Sequence, residues 1–139
     1  MELNLVLDTN VLIASIPKKS PSRWLWNKFL SEEIEISITT EILLEYEEIL
    51  NRFWGVDASA TVLQILDSAV NVNFITRYFH WELIKADPDD NKFVDCAVAS
   101  NANFIITKDR HFKELLEVDF PKIEVITPSE LKNILDEIK

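Results

Sequence analysis

Leu3-Asn4-Leu5-Val6-Leu7-Asp8-Thr9-Asn10 opens the chain with a short, nearly unbroken apolar run that stops on three polar residues. Such a run reads as a strand buried on both faces, as in a parallel sheet. The rest of the sequence repeats the theme. Residues 22–30 place Leu25, Trp26, Phe29 and Leu30 at helical spacing, and 35–38 read as a second strand. Thr39-Thr40 can cap a helix that runs to Phe53. After Gly55 a further helix carries Val62, Leu63, Leu66, Ala69 and Val70, and Val72–Ile75 is the third strand candidate. The spacing of 78–84 suggests a short helix. Asp87-Pro88-Asp89-Asp90 then breaks the chain and starts a helix to about Asn101. A fourth strand over 104–107, a short helix over 112–116 and a fifth strand over 123–126 follow. Thr127-Pro128-Ser129-Glu130 is a capping box with proline at the first helical position, so the C-terminus reads as helical. Strands alternating with helices predict one α/β domain over 1–139, a three-layer α/β/α arrangement around a parallel, roughly five-stranded sheet.

Composition narrows the chemistry. At 139 residues, 47% hydrophobic and 27% charged, the chain can bury one core. Average glycine usage of ~7% would give about ten glycines, but Gly55 is the only one. Phosphate cradles built on several glycines are therefore absent, and with them the common nucleotide-cofactor enzymes. Cys96 stands alone, so neither an internal disulfide nor a cysteine-based zinc site can form. Neither His80 nor His111 lies in an H-E-x-x-H arrangement. The first residues lack a basic stretch, and their apolar run is too short for a signal peptide or membrane span. A reduced, cytoplasmic setting is the economical expectation.

The net charge of −10, from 24 acids against 14 Lys and Arg, argues at face value against a nucleic-acid partner. It fits a solvated acidic surface, or carboxylates gathered around divalent cations that reverse the local sign. In an open α/β sheet the binding crevice lies beyond the carboxyl ends of the strands. Asp8 follows strand one, Asp90 opens the helix after strand three, and Asp109 follows strand four in Ile105-Ile106-Thr107-Lys108-Asp109. In the helix after strand two, a rotation of ~100° per residue leaves Glu45 and Glu47 bordering the apolar stripe of Ile42, Leu43, Tyr46, Ile49, Leu50 and Phe53. Asp90 projects with Phe93, Val94 and Ala97, with helix capping as its milder role, while Asp95 points nearly opposite. Carboxylates crowded into one pocket repel one another, and Mg²⁺ or Mn²⁺ removes the conflict because hard cations prefer oxygen ligands.

Leu7-Asp8-Thr9-Asn10-Val11-Leu12, Glu45 after the second strand, Asp87-Pro88-Asp89-Asp90-Asn91-Lys92-Phe93 and Ile105-Ile106-Thr107-Lys108-Asp109 together resemble the PIN-domain family over nearly the whole chain. The resemblance implies a parallel five-stranded sheet and a metal-dependent endoribonuclease, in many members the toxin of a toxin–antitoxin pair of the VapC type. It implies that Asp8, Glu45, Asp90 and Asp109 hold Mg²⁺ or Mn²⁺, supported by Thr107 and Asn10, with Asp95 a more distant candidate. The expected reaction is hydrolysis of an RNA phosphodiester by metal-activated water, leaving 5′-phosphate and 3′-hydroxyl ends, with no histidine placed to act as base.

The bases are unevenly spread. From Thr9 through Ser31 there is no acid, while Lys18, Lys19, Arg23 and Lys28 fall there; Lys108, Arg110 and Lys113 flank Asp109. Both groups follow strands whose ends carry the candidate acids, so Lys18, Lys19, Arg23, Lys108 and Arg110 are the expected RNA contacts. Trp24 lies off its helix's apolar stripe, free to stack on a base or to pack against a second subunit or an antitoxin. Tyr78, Phe79 and Trp81 suggest a homodimer. Three rivals remain. A haloacid-dehalogenase-like phosphatase needs a second Asp where Asn10 stands, and a receiver-like domain needs an acidic pair where Asp8 is followed by Thr9. The third is an interaction protein that keeps the sheet but does not cleave.

Overall fold

The computed structural model describes residues 3–138. Five parallel strands form its sheet: β1 Leu3–Leu7, β2 Ile34–Thr39, β3 Val72–Ile75, β4 Phe104–Ile106 and β5 Val125–Ile126. Their spatial order is β3-β2-β1-β4-β5, and Leu5 lies opposite Ile36 on one side and Phe104 on the other. Consecutive strand residues face opposite sides of a sheet. Leu5, Val6 and Leu7 are all fully buried, as are Ile105 and Ile106, so both faces are covered. This is the expected three-layer arrangement. Asn4, the polar residue inside β1, meets its hydrogen-bonding needs through distant residues: its Oδ1 accepts from Ser37 Oγ at 2.6 Å and its Nδ2 donates to the Ser100 carbonyl at 3.0 Å.

The helices are α1 Thr9–Ser15, α2 Arg23–Leu30, α3 Thr40–Trp54, α4 Val56–Ser68, α5 Asn91–Ser100 and α6 Pro128–Ile138, with 3₁₀ turns at Pro88–Asp90 and Arg110–Glu117. Thr39 caps α3 by accepting from the Ile42 amide at 3.3 Å. Ile42, Tyr46 and Leu50, one helical turn apart, are its buried face. Gly55 sits between α3 and α4 at φ 87°, a left-handed conformation that favours glycine. The α6 capping box forms as read, with Thr127 Oγ1 accepting from Glu130 N at 3.2 Å and Glu130 Oε1 from Thr127 N at 3.0 Å. No helix among the described residues is long and apolar enough to cross a membrane.

Three elements depart from the sequence reading. Asp8-Thr9-Asn10 does not merely end β1: it leads directly into α1, whose Thr9, Val11, Leu12 and Ser15 are buried. The short helix expected over 78–84 is absent. Side chains of other elements satisfy the backbone there: Asp95 Oδ1 accepts from Trp81 N at 2.9 Å, Asn91 Oδ1 from Ile84 N at 2.8 Å, and the Glu114 carboxylate from Lys85 N and Ala86 N at 2.7 and 3.0 Å. Glu82 takes a positive φ of 53°. Amides held by distant side chains cannot also close a helical ladder. The fifth strand shortens to two residues, and Phe53 and Val70, read as parts of apolar stripes, are exposed.

The winding order positions the site. From β1 the chain moves outward through β2 to β3, then returns to place β4 on the opposite side of β1. The crevice between the carboxyl ends of β1 and β4 is thus the topological switch point, where open α/β sheets bind ligands.

Candidate metal centre

Asp8 leaves β1 at that switch point. Its amide donates to the Ile106 carbonyl of β4 at 3.1 Å, which fixes the carboxylate beside the β4 end. Thr107 Oγ1 donates to Asp8 Oδ2 at 2.7 Å and accepts from the Asp109 amide at 2.9 Å. One hydroxyl therefore sets the positions of two acids. Below them Tyr46 Oη donates to the Leu7 carbonyl at 2.6 Å, tying α3 to the end of β1. Burial holds this phenol protonated, with Cys96, Asp8 and Glu45 adding to the effect.

Four sequence-selected acids come together here. Burial raises the Asp8 pKa, and the negative charges of Asp109 and Glu45 add to the rise against the hydrogen bonds from Thr107 and the Thr9 amide. Asp90 is 9% exposed and its pKa is pushed up to about 7, first by burial and then by Asp109, Asp87 and Asp8. Asp90 Oδ2 is fully covered yet has no hydrogen-bond partner. Glu45 is half-buried, accepting from Thr9 Oγ1 through Oε2 and pairing with Lys92 Nζ at 2.7 Å through Oε1. Glu47, its rival on α3, is exposed. Asp8 and Asp109, with Asn10 and Lys108, line a cleft of about 420 Å³.

Asp95 lies elsewhere. It is 3% exposed, holds the Trp81 amide, and is perturbed by burial and then by His80, Glu41 and Glu82, none of which belongs to the four-acid group. The cations divide as well. Lys18 and Lys19 are exposed on the loop after α1. Arg23 instead braces that loop, donating to Asn27 Oδ1 at 3.0 Å and to the Ile16 carbonyl. Lys28 pairs with Glu33 at 3.0 Å. Lys108, Arg110 and Lys113 line a depression of about 220 Å³ that shares Asp109 with the main cleft. Trp24 is half-buried against the protein's own core.

Two participants escaped the sequence reading. Lys92 follows Asp90 by two residues and neutralises Glu45. His111, for which no place in the site was expected, belongs to it: its Nδ1 lies 3.3 Å from Asp109 Oδ1, 3.6 Å from Asp90 Oδ2 and 3.9 Å from Asp87 Oδ2. The turn geometry explains this, because the His111 amide donates to Asp109 Oδ1 at 2.9 Å and folds the residue back toward the acids. An Asx turn at Asp109 was the available signal.

The donor set suits a hard divalent cation. It consists chiefly of carboxylate oxygens, one of them buried without a donor, and their mutual repulsion is what such a cation relieves.

A parallel five-stranded sheet with acids at its switch point is the architecture of a PIN domain, and the sequence pattern of that family matches residues 4–111. The chain belongs to the PIN-domain family. Among solved structures it is similar to VapBC2 from Rickettsia felis bound to a DNA fragment from their promoter, at TM-score 0.63 and 19% identity over 90% of this chain and 98% of that one. DNA-bound VapBC from Salmonella typhimurium gives TM-score 0.61 at 18% identity, over 91% and 98% of the two chains. The PIN domain endonuclease Utp24 gives TM-score 0.53 at 14% identity, over 89% and 84%. No curated protein matches the sequence.

Proposed function

We propose that the chain is a divalent-cation-dependent endoribonuclease and the toxin of a toxin–antitoxin pair acting in the cytoplasm. The observation that carries this reading is the clustering of acids about Asp8, which feels the charges of Asp109 and Glu45, beside Asp90, whose buried Oδ2 has no donor and which feels the charges of Asp109 and Asp8. Similarity to VapBC complexes and to a PIN endonuclease supports it. Asp8, Glu45, Asp90 and Asp109 would hold Mg²⁺ or Mn²⁺. Such an ion, when bound, acidifies water and stabilises negative charge on a phosphoryl oxygen.

The chain's own residues do the rest. Thr107 holds the Asp8 carboxylate toward the cleft and keeps the Asp109 loop in register with it. Asn10 lines the same cleft as a neutral polar group. Lys108 sits at its edge, where an ammonium can pair with a phosphate next to the one being cut; Arg110 and Lys113 extend the basic track, and Lys18 and Lys19 offer a second approach. Phe79 and Phe120, 67% and 81% exposed and joined through Trp81 with ring centroids 4.9 and 6.1 Å apart, form the apolar surface for a homodimer or an antitoxin.

The test is cleavage of RNA and of DNA with and without Mg²⁺ or Mn²⁺, beside Asp8→Asn. RNA cleavage that needs the cation and is lost in the variant is the expected result, and full activity in EDTA would refute it. A non-cleaving interaction protein is the second reading, favoured by the Lys92 ammonium already occupying Glu45. Absence of any thermal shift at millimolar Mn²⁺ would select it.

A further inference from the structure

We propose that Asp87, Asp90 and His111 form a second cation position beside the four-acid site, taking a first-row transition dication such as Co²⁺ or Mn²⁺ in preference to Mg²⁺. The inference rests on the cation-dependent reading above and adds to it a nitrogen ligand. Ligand atoms of the three residues all lie within 4.8 Å of one another.

Three observations meet here. First, a single imidazole nitrogen, His111 Nδ1, faces three carboxylates, those of Asp109, Asp90 and Asp87, at 3.3, 3.6 and 3.9 Å. One N–H can serve only one of them, whereas a dication among them would be shared by all. Second, the covered and unpartnered Asp90 Oδ2 is the oxygen nearest His111 on that carboxylate. A buried acceptor without a donor is costly, and a metal bond is one of the few ways to satisfy it. Third, Asp87 and His111 are both partly exposed, which gives an ion a path in from solvent. The aspartates come from one 3₁₀ turn and its cap, where the Asp87 side chain also holds the Asp89 amide at 3.2 Å; His111 comes from the other 3₁₀ segment. Their meeting is therefore a product of the fold rather than of one local motif.

The nitrogen decides the selectivity. A wholly oxygen site suits Mg²⁺ and Mn²⁺ alike, while an imidazole ligand favours transition ions and orders them Mn²⁺ below Co²⁺.

The experiment is calorimetric titration of the intact protein with Co²⁺, Mn²⁺ and Mg²⁺, joined to electron spin-echo detection of nitrogen on bound Mn²⁺. The same measurements are made on His111→Ala, Asp87→Asn, His80→Ala and Asp8→Asn. Wild-type protein and His80→Ala should show the nitrogen coupling and a Co²⁺ preference over Mg²⁺. His111→Ala should lose the coupling, lose one equivalent of Co²⁺ or at least ~10-fold of its affinity, and leave Mg²⁺ affinity within about twofold. Asp87→Asn should weaken Co²⁺ binding while keeping the coupling at high Mn²⁺. Nitrogen coupling absent from wild type, or unchanged Co²⁺ stoichiometry and affinity in His111→Ala, would overturn the proposal. Asp8→Asn separates the two readings. If it leaves every cation equivalent in place while His111→Ala removes one, the four-acid reading fails and this one stands.

Discussion

The sharpest energetic consequence concerns Asp90 in the absence of cations. Its carboxyl releases a proton near 3.8 in an unfolded chain and near 7 in the fold. Between those values the folded state holds the extra proton, so this group's contribution to stability is full below about pH 4 and disappears as pH rises through about 7. Between pH 5.5 and pH 8 the linkage relation assigns Asp90 a loss of about 2 kcal/mol. Water in the open cleft screens part of the repulsion, so a loss of at least about 1 kcal/mol is expected. Asp90→Asn cannot titrate and should lack this component of the slope. The assay is urea denaturation in chelator across that range, which stays above the isoelectric point near 4.6 where solubility is least. Wild type should lose stability toward pH 8 faster than the variant by the stated amount. Saturating Mg²⁺ should flatten the wild-type curve, because a bound cation replaces the proton. Parallel curves for the two proteins in chelator would refute the reasoning, since crowding at Asp90 would then cost the fold nothing.

Thr107→Val removes the donor to Asp8 and the acceptor of the Asp109 amide, one of them fully buried. It should cost about 1–3 kcal/mol in urea denaturation and weaken cation binding by calorimetry; a loss of stability with unchanged cation affinity would show that Thr107 serves only the fold. Lys92→Gln leaves the half-buried Glu45 without its counterion. It should destabilise the cation-free protein by about 1–2 kcal/mol, with most of the loss recovered in saturating Mn²⁺ as measured by thermal shift; a loss that persists in Mn²⁺ would mean that Lys92 and the cation do not meet the same carboxylate.

Much of the fold was legible because burial on both faces leaves a strong mark. Val6 and Ile105 sit in apolar runs too short for helices, Ile36 in a short segment that alternates isoleucine with polar residues, and the spacing of all three by helical patterns indicates a parallel sheet. Two of the acids were legible for a related reason, since Asp8 and Asp109 stand just past the ends of β1 and β4, while Glu45 and Asp90 were read from their phase on the helices that follow the second and third strands. What escaped depends on contacts between distant residues. Nothing local to 78–84 says that Asp95, Asn91 and Glu114 will take its amides. Nothing near His111 announces Asp87, more than twenty residues earlier, as its neighbour. Lys92 and Arg23 show the same limit for charge. Both are visible as cations, but whether a cation faces solvent, an acid or a carbonyl depends on tertiary position: Lys92 meets Glu45 and Arg23 meets the Ile16 carbonyl.

The net charge of −10 loses its force as an objection to RNA once it is divided by location. Asp8, Glu45, Asp90 and Asp109 belong to a crevice where dications would offset them, so they do not repel a phosphate as free surface acids do. Glu33 and Glu48 lie away from the cleft and are already paired, with Lys28 and Arg52 at 3.0 and 3.1 Å. Lys108, Arg110 and Lys113, by contrast, form no ion pair among the described residues, and they line the depression that shares Asp109 with the crevice. A phosphate chain approaching there would meet a local field set by these three cations, and by any dication the acids hold, rather than by the molecule's total. Coulomb interactions between exposed charges fade over about 8 Å at physiological ionic strength, so the distant acids can slow the approach of RNA without deciding whether it binds.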